Sequence, residues 1–483
     1  MLSQNAWAQY EIEYSPILQE AYKNIIHLDF DQANINIEQS KTEDPKNLAY
    51  LHLENYIDFF KLFIYEDKEY FDQVKGQKEV RLRLLNQLND NDPFKKFVVA
   101  EINLQWALTR SKFDELFKAG REIYAAYKLL EENKTDFPEF IYNYKSLSII
   151  HSLVETISVP GFFKNIFGMT GTIQQGLEEI QTVNNYADAN PFIFELETEA
   201  IYAFMALYQD NNQELAFEFL EQTTLKKSKS PLAAFVQVKL LQRTGRNDEA
   251  IELLLETLSY TSAKEFPYLY FLTGVSHLRK LDIESITYFN EFLDHFSGMH
   301  YIKEAHQKLA WAGLIFENDQ EEYRRQMTLC LEKGNALIDD DKQAVKEANK
   351  KQIPNSILLQ SRILFDGGYY QKAYQILITN SSLLFKEESL QLEYYYRLAR
   401  ITQALKNYPE SIQYYYLAIA ADPDQSSYMS CNAALNLGII YESQNDVTTA
   451  MKHFNQCLSM YPDEYQYSLH QKAKSGINRI QNN

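Results

Sequence analysis

An all-α chain, an α-α superhelix built as a solenoid of stacked helical hairpins, is the fold class the sequence predicts, and three observations predict it. Apolar residues recur with a helical period from about residue 14 to the end. A small residue recurs at Ala216, Ala250 and Ser285, 34 and 35 residues apart, and again at Ala373, Ser411 and Ala450, 38 and 39 apart. Glycine is scarce (15), whereas tyrosine (35) and phenylalanine (29) abound, as expected where large rings fill the seams between helices and tight turns are few. A solenoid also accommodates 483 residues without a thick core, because its core extends along an axis.

In order, residues 1–13 read as a flexible N-terminus. Ala6-Trp7-Ala8 has the small-x-small form of a signal-peptidase site with no apolar stretch before it, so the segment reads as a signal-peptide remnant with Met1 as an internal start. Export to the periplasm is the expectation, with a cytoplasmic location as the alternative. Residues 14–157 form a region of degenerate helical hairpins. A helical hairpin is expected over about 14–41 and helices over about 46–65, 68–88, 93–111, 113–132 and 137–157, with breaks at Glu43-Asp44-Pro45, Asn89 to Pro93 and Lys134 to Pro138, where an Asx or Thr cap precedes a proline.

Residues 158–176 break this texture with Gly161, Gly168, Gly171 and Gly176 and read as a Gly-rich loop. Gly171 and Gly176 frame G-x-x-x-x-G, but Leu177-Glu178 follows in place of Lys-Ser/Thr, so no P-loop exists. Repeats are expected over 177–336, a charged insertion with a solvated face over 337–353, and further repeats with a capping helix over 354–483. Arg243-Thr-Gly-Arg246 and Phe365-Asp-Gly-Gly368 place glycine where a first helix must end in a left-handed conformation.

The formal net charge of -19 argues on electrostatic grounds against nucleic acid and anionic membrane surfaces as partners, and no apolar run approaches a membrane span. Cys330, Cys431 and Cys457 make no C-x-x-C and no even-numbered framework, so neither a structural zinc nor a disulfide scaffold is expected. Cys431 and Cys457 fall at the same end of one antiparallel hairpin, where a small buried thiol serves as packing. The histidines at 295, 300 and 306 are spaced by five and six and do not share a helical face as zinc ligands would. No nucleophile, metal or nucleotide motif is present, so the expectation is a chain that is not an enzyme, with no cofactor and no metal. Fold alone does not remove the alternative, a helical-repeat hydrolase or a receptor for a small molecule or glycan.

The best-defined stretch is Ala434 to Pro462, with Leu437-Gly438, Tyr441, Ala450, Phe454 and Pro462. Gly438 lets two helices approach, Tyr441 fills the gap beside it, Ala450 and Phe454 close the hairpin, and Pro462 ends it. Together with Tyr395, Leu398, Ala399, Ser411, Tyr415, Ala418 and Pro423, these residues resemble the tetratricopeptide repeat (TPR) superfamily. The segment Gly161 to Gly171 followed by helices also faintly resembles the inclusion-body-clearance family of TPR proteins. The resemblance implies right-handed superhelices that bind proteins or peptides on the concave side.

It further implies that the position eleven residues before each small residue faces that groove. Counting back from Ala250, Ala373 and Ser411 gives Lys239, Arg362 and Arg400, while Ala216 and Ala450 give Met205 and Ile439. Tyr396 precedes Arg400 by four, and Asn432 and Asn436 are paired likewise. The expected function is therefore a non-enzymatic scaffold for protein or peptide binding. The candidate groove is Lys239, Arg362, Tyr396, Arg400, Asn432 and Asn436, suited to an acidic partner.

Overall fold

A computed structural model describes residues 10–156, 168–208, 213–260, 264–462 and 464–482. The expected signal-peptidase triplet at 6–8 and most of the Gly-rich loop at 158–176 lie outside the described residues. Among the described residues the chain is all-α, with a single isolated bridge between Glu11 and Asn47 in place of any strand. No helix there is long and apolar enough to cross a membrane. Two compact units form: one from residues up to Val275 with Ser285–Gln307 and Met327–Asn349, the other from Ser276–Glu284, Lys308–Gln326 and Lys350–Asn483.

In the first unit Pro16–Ile26 pairs with Phe30–Glu43, Pro93–Lys112 with Leu116–Asp136, and Tyr142–Thr156 with Ile173–Ala187. Asp92 behaves as expected, its carboxylate accepting from Phe94 N just ahead of Pro93. At the other two expected breaks the proline lies in the loop after a helix has ended at Glu43 or Asp136. The 68–88 stretch is two short helices, Lys68–Val74 and Gln77–Leu85. Later hairpins follow the repeat: Pro231–Arg243 with Asn247–Leu258, the turn made by Gly245 at φ 74°.

The second unit holds Ser356–Asp366 with Tyr370–Thr379, Gln391–Ala404 with Tyr408–Ala420, and Tyr428–Ser443 with Val447–Ser459, followed by Gln466–Asn482. Asn355 and Ser427 cap the first helices through their side chains, and Asp446 caps a second. Gly368 turns the first of these hairpins at φ 81°, but Lys406 and Asn445 hold the same left-handed turn position at 61° and 62°, a conformation whose cost the packed hairpin must offset.

The small residues do what their spacing predicts: Ala216, Ala250, Ser285, Ala373, Ser411 and Ala450 are all fully buried. Close approach is carried by glycine facing phenylalanine. A Cβ on Gly438 would lie 2.5 Å from the Phe454 ring, and one on Gly476 of the last helix would meet the same ring at 2.5 Å. Gly274 and Phe289 repeat the device in the first unit at 2.8 Å. The charged 337–353 stretch contains a regular helix, Asp339–Lys350, and one of its faces is buried through Asp341, Ala344 and Ala348.

Candidate ligand-binding site

In the second unit the first helices present a run of cations stacked on rings. Lys308 Nζ lies 4.0 Å from the centroid of Trp311, and the Arg362 guanidinium 5.0 Å from the same ring. Arg400 stacks 4.3 Å over Phe365 and lies 5.9 Å from Tyr396. Such contacts hold a guanidinium flat and leave its N–H edges for an acceptor.

The pairing of these cations differs. Arg362 is exposed and reaches Asp366 only at 4.0 Å. Arg397 is bound to Glu393 by its Nε at 2.7 Å. Burial by itself would lower the Arg397 guanidinium, but the Glu393 charge and hydrogen bond keep it raised. Arg400 is half-buried and has no carboxylate partner among the described residues. A small cleft between Ser356–Asp366 and Gln391–Ala404 is lined by Ser361, Arg362, Phe365, Arg397, Arg400 and Ile401.

Next along the face, Asn432 Nδ2 donates to the Tyr396 hydroxyl at 2.7 Å, and Asn436 Nδ2 donates to Asn432 O and Oδ1, each at 2.8 Å. The structure thus joins Arg400, Tyr396, Asn432 and Asn436 through one chain of contacts, and Arg362 lines the same small cleft as Arg400. Tyr396 is only 3% exposed, so its part is to hold Asn432 and Arg400 in place. Lys239 lies half-buried in the first unit, on Pro231–Arg243, where it is engaged by neighbours. Sequence counting missed Lys308, Trp311, Phe365 and Arg397, because one position per helix was followed. The three-residue spacing of Lys308 with Trp311 and of Arg362 with Phe365 was the signal available.

Two features of the first unit bear on the alternative of catalysis. A cavity of about 1000 Å³ in it is lined by Glu20, Asp29, Lys61, Asp67, Tyr65 and Glu265 among others. Asp29 and Asp67 there are committed to helix caps, and Glu265 accepts from the Tyr65 hydroxyl. Away from the cavity, two carboxylates converge on a buried cation: Lys145 Nζ is 2.6 Å from Glu101 Oε2 and 2.7 Å from Glu197 Oε1. The Tyr56 hydroxyl bonds Glu197 at 2.8 Å and Glu101 at 3.2 Å, and Tyr22 donates to Glu197 at 2.9 Å. Burial by itself would push the Glu101 carboxyl up; the Lys145 charge, then His52, hold it well below the usual carboxylate range. Lys145 is raised in turn, its burial outweighed by Glu101 and Glu197. This is a mutually satisfied network joining five helices.

Comparison with known proteins gives a family match over one region. The family model of the tetratricopeptide repeat matches residues 390–463. No curated protein matches the chain. Among solved structures, the chain is similar to the human IFIT1 dimer with m7Gppp-AAAA, at 14% identity and a TM-score of 0.37, covering 98% of this chain and 96% of that one. It is also similar to an IFIT1 monomeric mutant with Gppp-AAAA, at 13% identity and a TM-score of 0.35, covering 98% of both. Similarity this low assigns no ligand. The resemblance to the inclusion-body-clearance family finds no counterpart among these matches.

One expectation is corrected. Net charge does not exclude nucleic acid as a partner; the two similar structures were themselves solved with m7Gppp-AAAA and Gppp-AAAA. The physical fault is that charge summed over a whole chain does not describe one face, and Lys308, Arg362, Arg397 and Arg400 gather on a single face of a chain carrying -19.

Proposed function

Because residues 390–463 are tetratricopeptide repeats, we propose that this chain is a non-enzymatic scaffold that binds an extended segment of a partner protein along the first-helix face of its second unit. Arg400 carries the reading: a half-buried guanidinium, stacked on Phe365 and without a carboxylate among the described residues, presents its N–H donors to an acceptor on a bound segment. Packed helices lie about 8–10 Å apart. An extended backbone advances about 3.3 Å per residue. Arg362, Arg400 and Asn436 stand on consecutive first helices, so they would meet peptide groups roughly three residues apart: the arginines main-chain carbonyls, and Asn436, whose Nδ2 is spent on Asn432, a main-chain N–H through its Oδ1.

The test is fluorescence anisotropy with peptides selected from a random display library against the intact chain. Replacing Arg362 and Arg400 together with Ala should weaken binding at least about tenfold, the loss of one to two charge-assisted hydrogen bonds, and leave the melting temperature nearly unchanged. Unaltered binding at low salt would reject this face. Single-stranded and capped RNA belong in the same assay: RNA bound with no peptide selected would overturn the polypeptide reading.

A further inference from the structure

The last hairpin contains a feature its neighbours lack. Cys431, near the start of Tyr428–Ser443, and Cys457, near the end of Val447–Ser459, are both fully buried with their sulfurs 3.5 Å apart. They share a core with Ala434, Leu435, Phe454, Met460, Leu469 and Ala473. We propose that these two thiols form a reversible disulfide that locks the first helix of this hairpin to the second.

Two further observations support a role beyond packing. Counted from the small residue of each second helix, the positions of Cys431 and Cys457 correspond to Leu392 and Ala418 in the preceding hairpin. That hairpin packs without sulfur, so the repeat itself does not require thiols. The geometry is also close to bonded: a disulfide is about 2.05 Å long, so the sulfurs need to approach by roughly 1.5 Å, a displacement small side-chain rotations can share. Cys330 sits elsewhere in sequence, buried and unbridged.

The chemistry needs a small disulfide as oxidant, such as oxidised glutathione. The Cys431 thiol loses its proton and attacks one glutathione sulfur; the glutathione S–S bond breaks and one glutathione thiolate leaves. The Cys457 thiolate then attacks Cys431 Sγ, displacing the second glutathione. One small disulfide is reduced to two thiols and the protein loses two electrons and two protons. Cys431 suits the first role, since its contact with Cys457 holds its thiol below the usual range, whereas that contact and burial push the Cys457 thiol up. The Gln466–Asn482 helix covers the pair through Leu469 and Ala473, so the oxidant enters when that helix opens.

The full chain should be equilibrated across glutathione buffers from reducing to oxidising, both as folded protein and after refolding from denaturant in each buffer. Free thiols are then trapped with a maleimide under denaturing conditions. At the oxidising end the expected result is an intact mass two daltons lower, one labelled thiol at Cys330, and a peptide linking Cys431 to Cys457. The melting temperature should rise by several degrees through closure of a 26-residue loop. Reductant should reverse all of this, and Cys457→Ser should abolish it. Three labelled thiols after oxidative refolding, glutathione adducts without the internal link, or a bridge to Cys330 would overturn the proposal.

Discussion

Replacing Lys145 with Met removes a buried cation while nearly preserving volume, and the structure sets the size of the effect. Lys145 has no exposed side-chain surface, Glu101 has 3% and Glu197 has 22%. Breaking a buried pair by deleting one partner costs about 3–5 kcal/mol. Here one cation serves two carboxylates, but water reaches Glu197 and relieves part of the loss, which places the expected cost at about 4 kcal/mol at pH 7. The sign with pH is distinctive. In the wild type, the depressed Glu101 carboxyl contributes stability above its unfolded value of 4.5 that is lost as pH falls, and the raised Lys145 contributes stability below 10.5 that is lost as pH rises. Stability from this network is therefore flat near neutrality. Without Lys145, burial raises Glu101, so mild acid neutralises it and the deficit of Lys145→Met should shrink between pH 7 and pH 5. Urea unfolding by circular dichroism, with hydrogen exchange along Pro93–Lys112, measures this. A deficit below about 1 kcal/mol, or one equal at both pH values, would refute the reasoning.

Gly438→Ala should destabilise the last hairpin by about 1–3 kcal/mol, because its Cβ would sit 2.5 Å from the Phe454 ring; thermal unfolding reads the loss. Burial alone would raise the Glu66 carboxyl, but His300, 2.9 Å away, and the Lys112 charge bring it to about 2. The stability it supplies is present above 4.5 and lost as pH falls toward 2, and Glu66→Gln should remove that acid limb from an unfolding-versus-pH curve. Burial pushes Asp341 the other way, up to about 6, against the backbone N–H groups of Glu304 and Tyr301. Its contribution therefore declines as pH rises from 3.8 to 6, and Asp341→Asn should flatten that slope.

The repeat was legible because its marks are steric. A residue that must be small, at Ala250 or Ala450, or absent, at Gly438, leaves a fixed spacing in the sequence. The cationic face was half legible: Arg362 and Arg400 fall at one repeat position while Arg397 does not, and the rings beneath them are set by which helix lies next door. The Lys145 network was not legible at all. Tyr142–Thr156 buries Asn143, Lys145, Ser146, Ser148 and His151, so a helix that reads as partly polar is packed all round. Hydrophobic periodicity has no means of marking a polar residue whose partners come from three other helices. The charge argument failed for a related reason, since a sum over residues contains no geometry.

Phe454 touches Gly438 on its own hairpin and Gly476 on the helix that follows, in the same manner on both sides. To that ring, Gln466–Asn482 is indistinguishable from the opening helix of another repeat. What differs is its far side, where Gln471, Lys472, Lys474, Ser475 and Asn478 are all exposed. The helix is thus an adaptor with one apolar socket and a mostly polar far face, from which the Tyr467 ring projects 77% exposed. The one glycine of Gln466–Asn482, Gly476, is already taken by Phe454, so this helix has no second seat of that kind to offer another phenylalanine.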